Sequence, residues 1–143
     1  MAPAVAGFAS SLTSARLQAP LVAMIARTWT AHASRPGTDA YVEFFRLTLT
    51  PQLASLEGHR GAVVLRSPVA DDDVHITVIT FWESMTAVAR FAGSSPDVAV
   101  VEPEARALLT SFDARVQHHE VAFARIEGMA GVGGSGEGVR SDQ

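Results

Sequence analysis

A few short runs hold the residues that could do chemistry. Arg27 sits in Met24-Ile25-Ala26-Arg27 among apolar neighbours, where a charge needs a partner or a ligand anion. His118-His119-Glu120 is a run of three proton-transferring types that includes two imidazoles. With an ordinary imidazole pKa of about 6.5, His118 or His119 is the best general base by residue type. Adjacent strand residues point to opposite faces, so this His pair cannot chelate one ion. His118 and Glu120 share a face, but two donors do not make a metal centre, and no metal is expected. Asp71-Asp72-Asp73 lacks the Gly and terminal Glu of a calcium loop and reads as a solvated turn. Gly131-Val132-Gly133-Gly134-Ser135-Gly136 matches GxGxxG. No strand or helix flanks it to receive a pyrophosphate, so it reads as a chance match. Trp82 closes an apolar run just before Ser84. There it should stand at the rim of a flat apolar pocket that stacks an aromatic ligand. Trp29, Tyr41, Phe45, Val78 and Phe91 are the other candidate wall residues, since buried aromatics serve both core and pocket.

Composition narrows the chemistry further. The 143 residues hold no Cys, no Lys and no Asn, and all 11 basic residues are Arg. Thiol nucleophiles, disulfides and thiolate metal sites are excluded, as are Schiff bases and a phosphate-loop Lys. The arginines stand singly and the formal net charge is -4, which speaks against nucleic acid or a polybasic membrane patch. The longest uncharged apolar stretch is the 8 residues Ala19–Ala26, well short of the roughly 20 that a membrane span needs. A cytoplasmic location is expected.

The elements that must position these residues follow from periodicity. Residues 1–23 read as a flexible N-terminal extension, 24–127 as one domain, and 128–143 as a Gly-rich disordered tail. Within the domain, Met24 to His32 suits a strand. Arg35-Pro36-Gly37 reads as a breaker, and a helix capped at Gly37 or Thr38 follows through Leu56. Pro51 should kink that helix near Leu47. Ala62 to Arg66 reads as a second strand, Ser67 to Asp73 as a hairpin loop, and Val74 to Trp82 as the strongest strand, apolar on both faces. Ser84 should cap a helix through Phe91 that Gly93 stops. Ser95-Pro96-Asp97 and Pro103 each read as helix starts, and Arg115 to Phe123 as the last strand. The order βαββαβ is the ferredoxin-like split motif, an antiparallel sheet with helices on one face. The other sheet face would be bare in a monomer, so a homodimer is expected.

Four of these runs resemble one known family. Met24-Ile25-Ala26-Arg27, Phe81-Trp82-Glu83-Ser84 with its helix ending in Phe91-Ala92-Gly93, Pro103-Glu104 and His118-His119-Glu120-Val121 look like the antibiotic biosynthesis monooxygenase (ABM) domain. The resemblance spans about residues 24–124. It implies a ferredoxin-like α+β protomer, a dimeric α+β barrel, and a ligand cavity between helices and sheet. It also implies cofactor-free oxidation of a phenolic, polyketide-like compound, or haem binding and cleavage. Quinone-forming members carry an Asn where Val78 stands and a Tyr where Val88 stands, and their later helical Arg has no clear match at 102–106. The haem-cleaving members place a His in the later helix, but residues 96–111 contain none. Arg27 and Phe91 stand near the positions of those members' Asn and second Trp.

The resulting expectation is a monooxygenase without a cofactor, acting on an aromatic or hydrophobic small molecule. Trp82 would stack the ring, Arg27 would hold the anion, and His118 or His119 would take the proton. The alternative is a non-catalytic protein of the same fold that binds a metabolite, with haem binding third.

Overall fold

The strands alternate between a buried and a half-exposed face. In β3 (Asp73–Trp82), Val74, Ile76, Val78, Thr80 and Trp82 are buried, while His75, Thr77, Ile79 and Phe81 are partly open. The period of two sends the first set to the helices and the second to the outer sheet face. β1 (Ile25–Ala33) pairs antiparallel with β3 along its whole length, with Arg27 opposite Thr80 and Trp29 opposite Val78. The structure is a computed structural model and describes residues 24–129. The expected N-terminal extension at 1–23 lies outside the described residues, as does the Gly131–Gly136 run with most of the expected tail.

The first helix starts earlier than its sequence suggests. α1 (Arg35–Phe44) has Ser34 as its N-cap, whose hydroxyl accepts from the Gly37 N–H at 3.0 Å. Arg35-Pro36-Gly37 is therefore the first helical turn and not a breaker. Proline costs nothing there, because that N–H would have no helical partner. The expected kink appears as a π turn, Phe45–Leu49, followed by α2 (Thr50–Ala54). In a regular helix the Pro51 ring would clash with the carbonyl of Leu47. The wider turn opens the ladder just before it, and the Phe45 carbonyl accepts from both the Thr50 N–H and the Thr50 hydroxyl, the latter at 3.0 Å.

β2 (His59–Ala70) is longer than expected and pairs with β3 through a turn of only Asp71 and Asp72. Ser67 and Pro68, read from sequence as loop, pair with His75 and Val74. Pro68 is tolerated because β2 is an edge strand whose outward N–H groups have no ladder to complete. The acidic turn is tied to the helix start: Asp72 Oδ1 accepts from the Arg35 N–H at 2.9 Å.

α3 (Met85–Ala92) follows as expected, with Ser84 accepting from the Ala87 N–H and Gly93 ending it at φ 85°. The helix expected from Ser95-Pro96-Asp97 does not form. That stretch runs irregularly beside 114–116, with Val98 bridging Arg115. α4 (Pro103–Leu108) is short. The expected last strand, Arg115 to Phe123, is reduced to β5 (Gln117–Glu120), and β4 (Ser111–Phe112) precedes it. Both lie along the far edge of β1, giving the order β2-β3-β1-β4 with β5 beside β1. The topology is βαββαβ, α+β and ferredoxin-like, with the helices on one face.

Candidate functional site

Between the inner sheet face and the helices lies a cavity of about 390 Å³. Arg27, Trp29, Val78 and Thr80 form its floor, and Tyr41, Phe45, Leu49 and Leu53 come from α1, the π turn and α2. The irregular stretch Ala99–Glu102 closes one side, and Phe91 of α3 closes another. The aromatic wall is continuous. The Trp29 ring centroid is 6.3 Å from Tyr41, which is 6.2 Å from Phe45. Trp29 is held by its indole N–H, which donates to the Asp113 carbonyl at 2.8 Å.

Arg27 is 5% exposed although it carries a full charge. Its position opposite Thr80 on the inner face leaves it little access to water, so the protein must supply acceptors. Nη1 donates to the Pro96 carbonyl at 2.6 Å and to His118 Nε2 at 2.9 Å, and Nη2 donates to the Val98 carbonyl at 3.1 Å. The guanidinium carbon also lies 5.5 Å from the centre of the Phe91 ring, in cation–π range. Burial lowers the Arg27 pKa from its ordinary value, with Asp97 opposing that shift. This clamp explains why residues 96–98 do not form a helix: two of their carbonyls are turned to Arg27.

His118 is committed to Arg27. A guanidinium can only donate, so Nε2 accepts and the ring is neutral with its proton on Nδ1. Nδ1 is 3.7 Å from Asp97 Oδ1. Burial, then the Arg27 charge, lower the His118 pKa; Asp97 opposes them and His119 adds slightly. His118 thus stands behind Arg27 and does not line the cavity. His119 is exposed and pairs with Ala26 on the outer sheet face, its Nε2 3.5 Å from the Thr28 hydroxyl.

Trp82 does not stand at a pocket rim. It is fully buried and stacked on Phe91, centroids 5.1 Å apart and planes 27° apart. Its indole N–H donates to the Thr80 hydroxyl at 2.8 Å. The position opposite Ile25 on the inner face puts Trp82 beneath the cavity wall, where it touches what lines the cavity and not the cavity itself. The structure therefore brings Arg27, Trp29, Tyr41, Phe45, Val78 and Phe91 together around one space and leaves Trp82, His118 and His119 outside it.

Four polar residues outside the expected set also line the cavity: Gln52, Ser55, Thr80 and Glu102. Glu102 is the N-cap of α4, next to Pro103 at the helix start. A carboxylate between the apolar pair Val100-Val101 and a Pro-initiated helix was the available signal. Burial, and second the nearby Glu102 carboxylate, push the Tyr41 phenol pKa up, so Tyr41 stays protonated. Among the described residues no group of three or more His, Asp or Glu side chains is placed to hold a metal, and no His lines the cavity.

No protein-family model matches the chain, and no curated protein is significantly similar to it. Solved structures are similar. A Bacillus cereus protein named as a putative antibiotic biosynthesis monooxygenase shares 20% identity, covering 73% of this chain and 98% of its own, with a TM-score of 0.51. A protein of the same name from Chloroflexus aurantiacus J-10-fl shares 24% identity over 73% of this chain and 97% of its own, at a TM-score of 0.43. One from Bordetella bronchiseptica shares 22% over 72% and 99%, at 0.45. The likeness to the first shows that this chain has an ABM-domain-like fold.

Proposed function

We propose that this chain is a small-molecule monooxygenase that needs no cofactor and acts, as a homodimer, on an aromatic, polyketide-like compound. The observation that carries the reading is the apolar, aromatic-walled cavity with a buried guanidinium on its floor. Such a box binds a flat ring system, and Arg27 favours its anionic form. A bound phenol or enol loses a proton, and the anion gives one electron to dioxygen. The resulting radical and superoxide combine at a ring carbon as a hydroperoxide. Loss of water then leaves a carbonyl, so one oxygen atom enters the product and the other leaves as water. Trp29 is the stacking face, Phe91 closes the cavity beside Arg27, and Trp82 acts through Phe91, whose ring it backs. The similar Bacillus cereus protein is named as a putative antibiotic biosynthesis monooxygenase, which supports the reading.

The test is oxygen uptake by the purified protein with a panel of anthrone-like phenols, with product mass gaining one oxygen and losing two hydrogens. A second reading, a non-catalytic binding protein, is favoured by two observations. His118 spends its acceptor nitrogen on Arg27, and apolar Val78 and Val88 stand where the resemblance would place Asn and Tyr. Binding without oxygen consumption would select that reading.

A further inference from the structure

We propose that Glu102 is the group in this cavity that accepts the ligand's proton, and that the ligand is a conjugated molecule presenting a hydroxyl to Glu102 and a second oxygen to Arg27. The inference rests on the small-molecule reading of the cavity given above, and it assigns the base that reading lacks.

The argument begins with elimination. His118 is turned to Arg27 and His119 lies on the other sheet face, so neither imidazole reaches the cavity. Among the described residues the side chains of ionisable type on the cavity wall are Arg27, Tyr41 and Glu102. Arg27 is a donor only, and the buried Tyr41 is held in its protonated form. Glu102 remains as the acceptor.

Placement then gives the ligand its polarity. Arg27 and Glu102 occupy the two ends of one wall. Arg27 grips that wall at Pro96 and Val98, and Glu102 closes it four residues further on. Four extended residues span at most about 13 Å, the scale of a small fused-ring system. The wall between them, Ala99 to Val101, is apolar. Arg27 has five N–H groups, and its bonds to Pro96, His118 and Val98 use three. Two remain for a ligand oxygen. At the other end, the Tyr41 phenol beside Glu102 supplies a donor to the same hydroxyl.

The step balances within the site. The ligand O–H bond breaks and its proton passes to a Glu102 carboxylate oxygen. The electron pair stays on the ligand and spreads through conjugation to the oxygen at Arg27. Charge moves from the carboxylate to the ligand with no change in total.

Two measurements test this. The first compares dissociation constants of 2-hydroxyanthraquinone and its 2-methoxy ether, probes that are not themselves oxidised. The protein should prefer the hydroxyl compound by about tenfold, the worth of one hydrogen bond to a charged group. Glu102→Leu should erase that preference, while Glu104→Gln, an equal charge change on the exposed side of α4, should keep it. The second compares oxygen uptake with an anthrone. Glu102→Gln, nearly isosteric, should slow it by about 100-fold or more with binding little changed, the usual worth of a positioned base. A wild type that binds the hydroxyl probe but consumes no oxygen defeats the monooxygenase reading, and the probe preference alone then decides the role of Glu102. Oxygen uptake that persists in Glu102→Gln overturns Glu102 and leaves the monooxygenase reading standing. Absence of a hydroxyl preference, or of binding by either probe, overturns the proposed ligand polarity and Glu102 with it.

Discussion

Arg27 and His118 show how one charged residue decides the state of its neighbour. Burial first and the guanidinium second lower the His118 pKa, so the unfolded chain takes up that proton at a higher pH than the fold does. His118 is without consequence for stability above about pH 6.5; below it, stability declines as pH falls towards the folded-state value. His59 shifts in the same direction, through burial first and Arg60 second. Urea midpoints at about pH 7.5 and about pH 5 should therefore fall with acid, and His118→Gln should flatten the fall. An unchanged slope would show that His118 is not the linked group. Trp82 carries a different expectation. Its full burial and its stack on Phe91 make Trp82→Ala a cavity-forming change worth about 3–5 kcal/mol in equilibrium unfolding. Both roles were only half legible in the sequence. A lone Arg among apolar residues announced a need for acceptors, but the carbonyls of Pro96 and Val98 come from a distant segment that no local pattern connects to strand β1. Glu102 is hard to read as a site residue from sequence, because an acid before Pro103 also suits the ordinary role of a helix cap.

At the scale of elements, periodicity and caps carried the reading where a segment's neighbours agreed with its own preference. β1, β3 and α3 lie close to their expected bounds for that reason. Structure departs from local preference where tertiary partners override the local signal. Pro36 began a helix in place of breaking one, because Ser34 and the Asp72 carboxylate were there to receive its first N–H groups. The segment after Pro96 lost its helix to the Arg27 clamp and to pairing with 114–116. Gly58 marks the return from α2 to β2 and shows how tight such a junction is. Its φ is 92°, and a Cβ there would lie 2.4 Å from that of Ala87 on α3. Gly58→Ala combines a disfavoured backbone with a clash against α3. It should cost about 2 kcal/mol or more, measured by thermal or denaturant unfolding. A neutral effect would mean that the α2–β2 junction and α3 move apart freely.

At the scale of the whole molecule, the ferredoxin-like order leaves one sheet face with no helix among the described residues. Ile79 and Phe81 lie there beside Val63 of β2, partly open in the single chain. A second copy seated on that face is the proposed arrangement. Ile79→Asp should then yield a folded monomer by sedimentation and leave the inner core untouched, since Ile79 points away from it. A stable monomeric wild type would end the dimer proposal. No described helix is long and apolar enough to cross a membrane. The Arg27 clamp has one more consequence, which concerns the order of events in folding. Its three bonds join residues 69, 71 and 91 positions apart in the chain. The β2–β3 hairpin, by contrast, closes over a two-residue turn. Contacts between distant residues come at the highest loop-closure cost, so the hairpin should form before the cavity wall is tied down. Truncating the clamp, as in Arg27→Met, should therefore speed unfolding far more than it slows folding, a low-φ signature on both limbs of a chevron. The cavity would be the last part of the domain to be completed and the first to open.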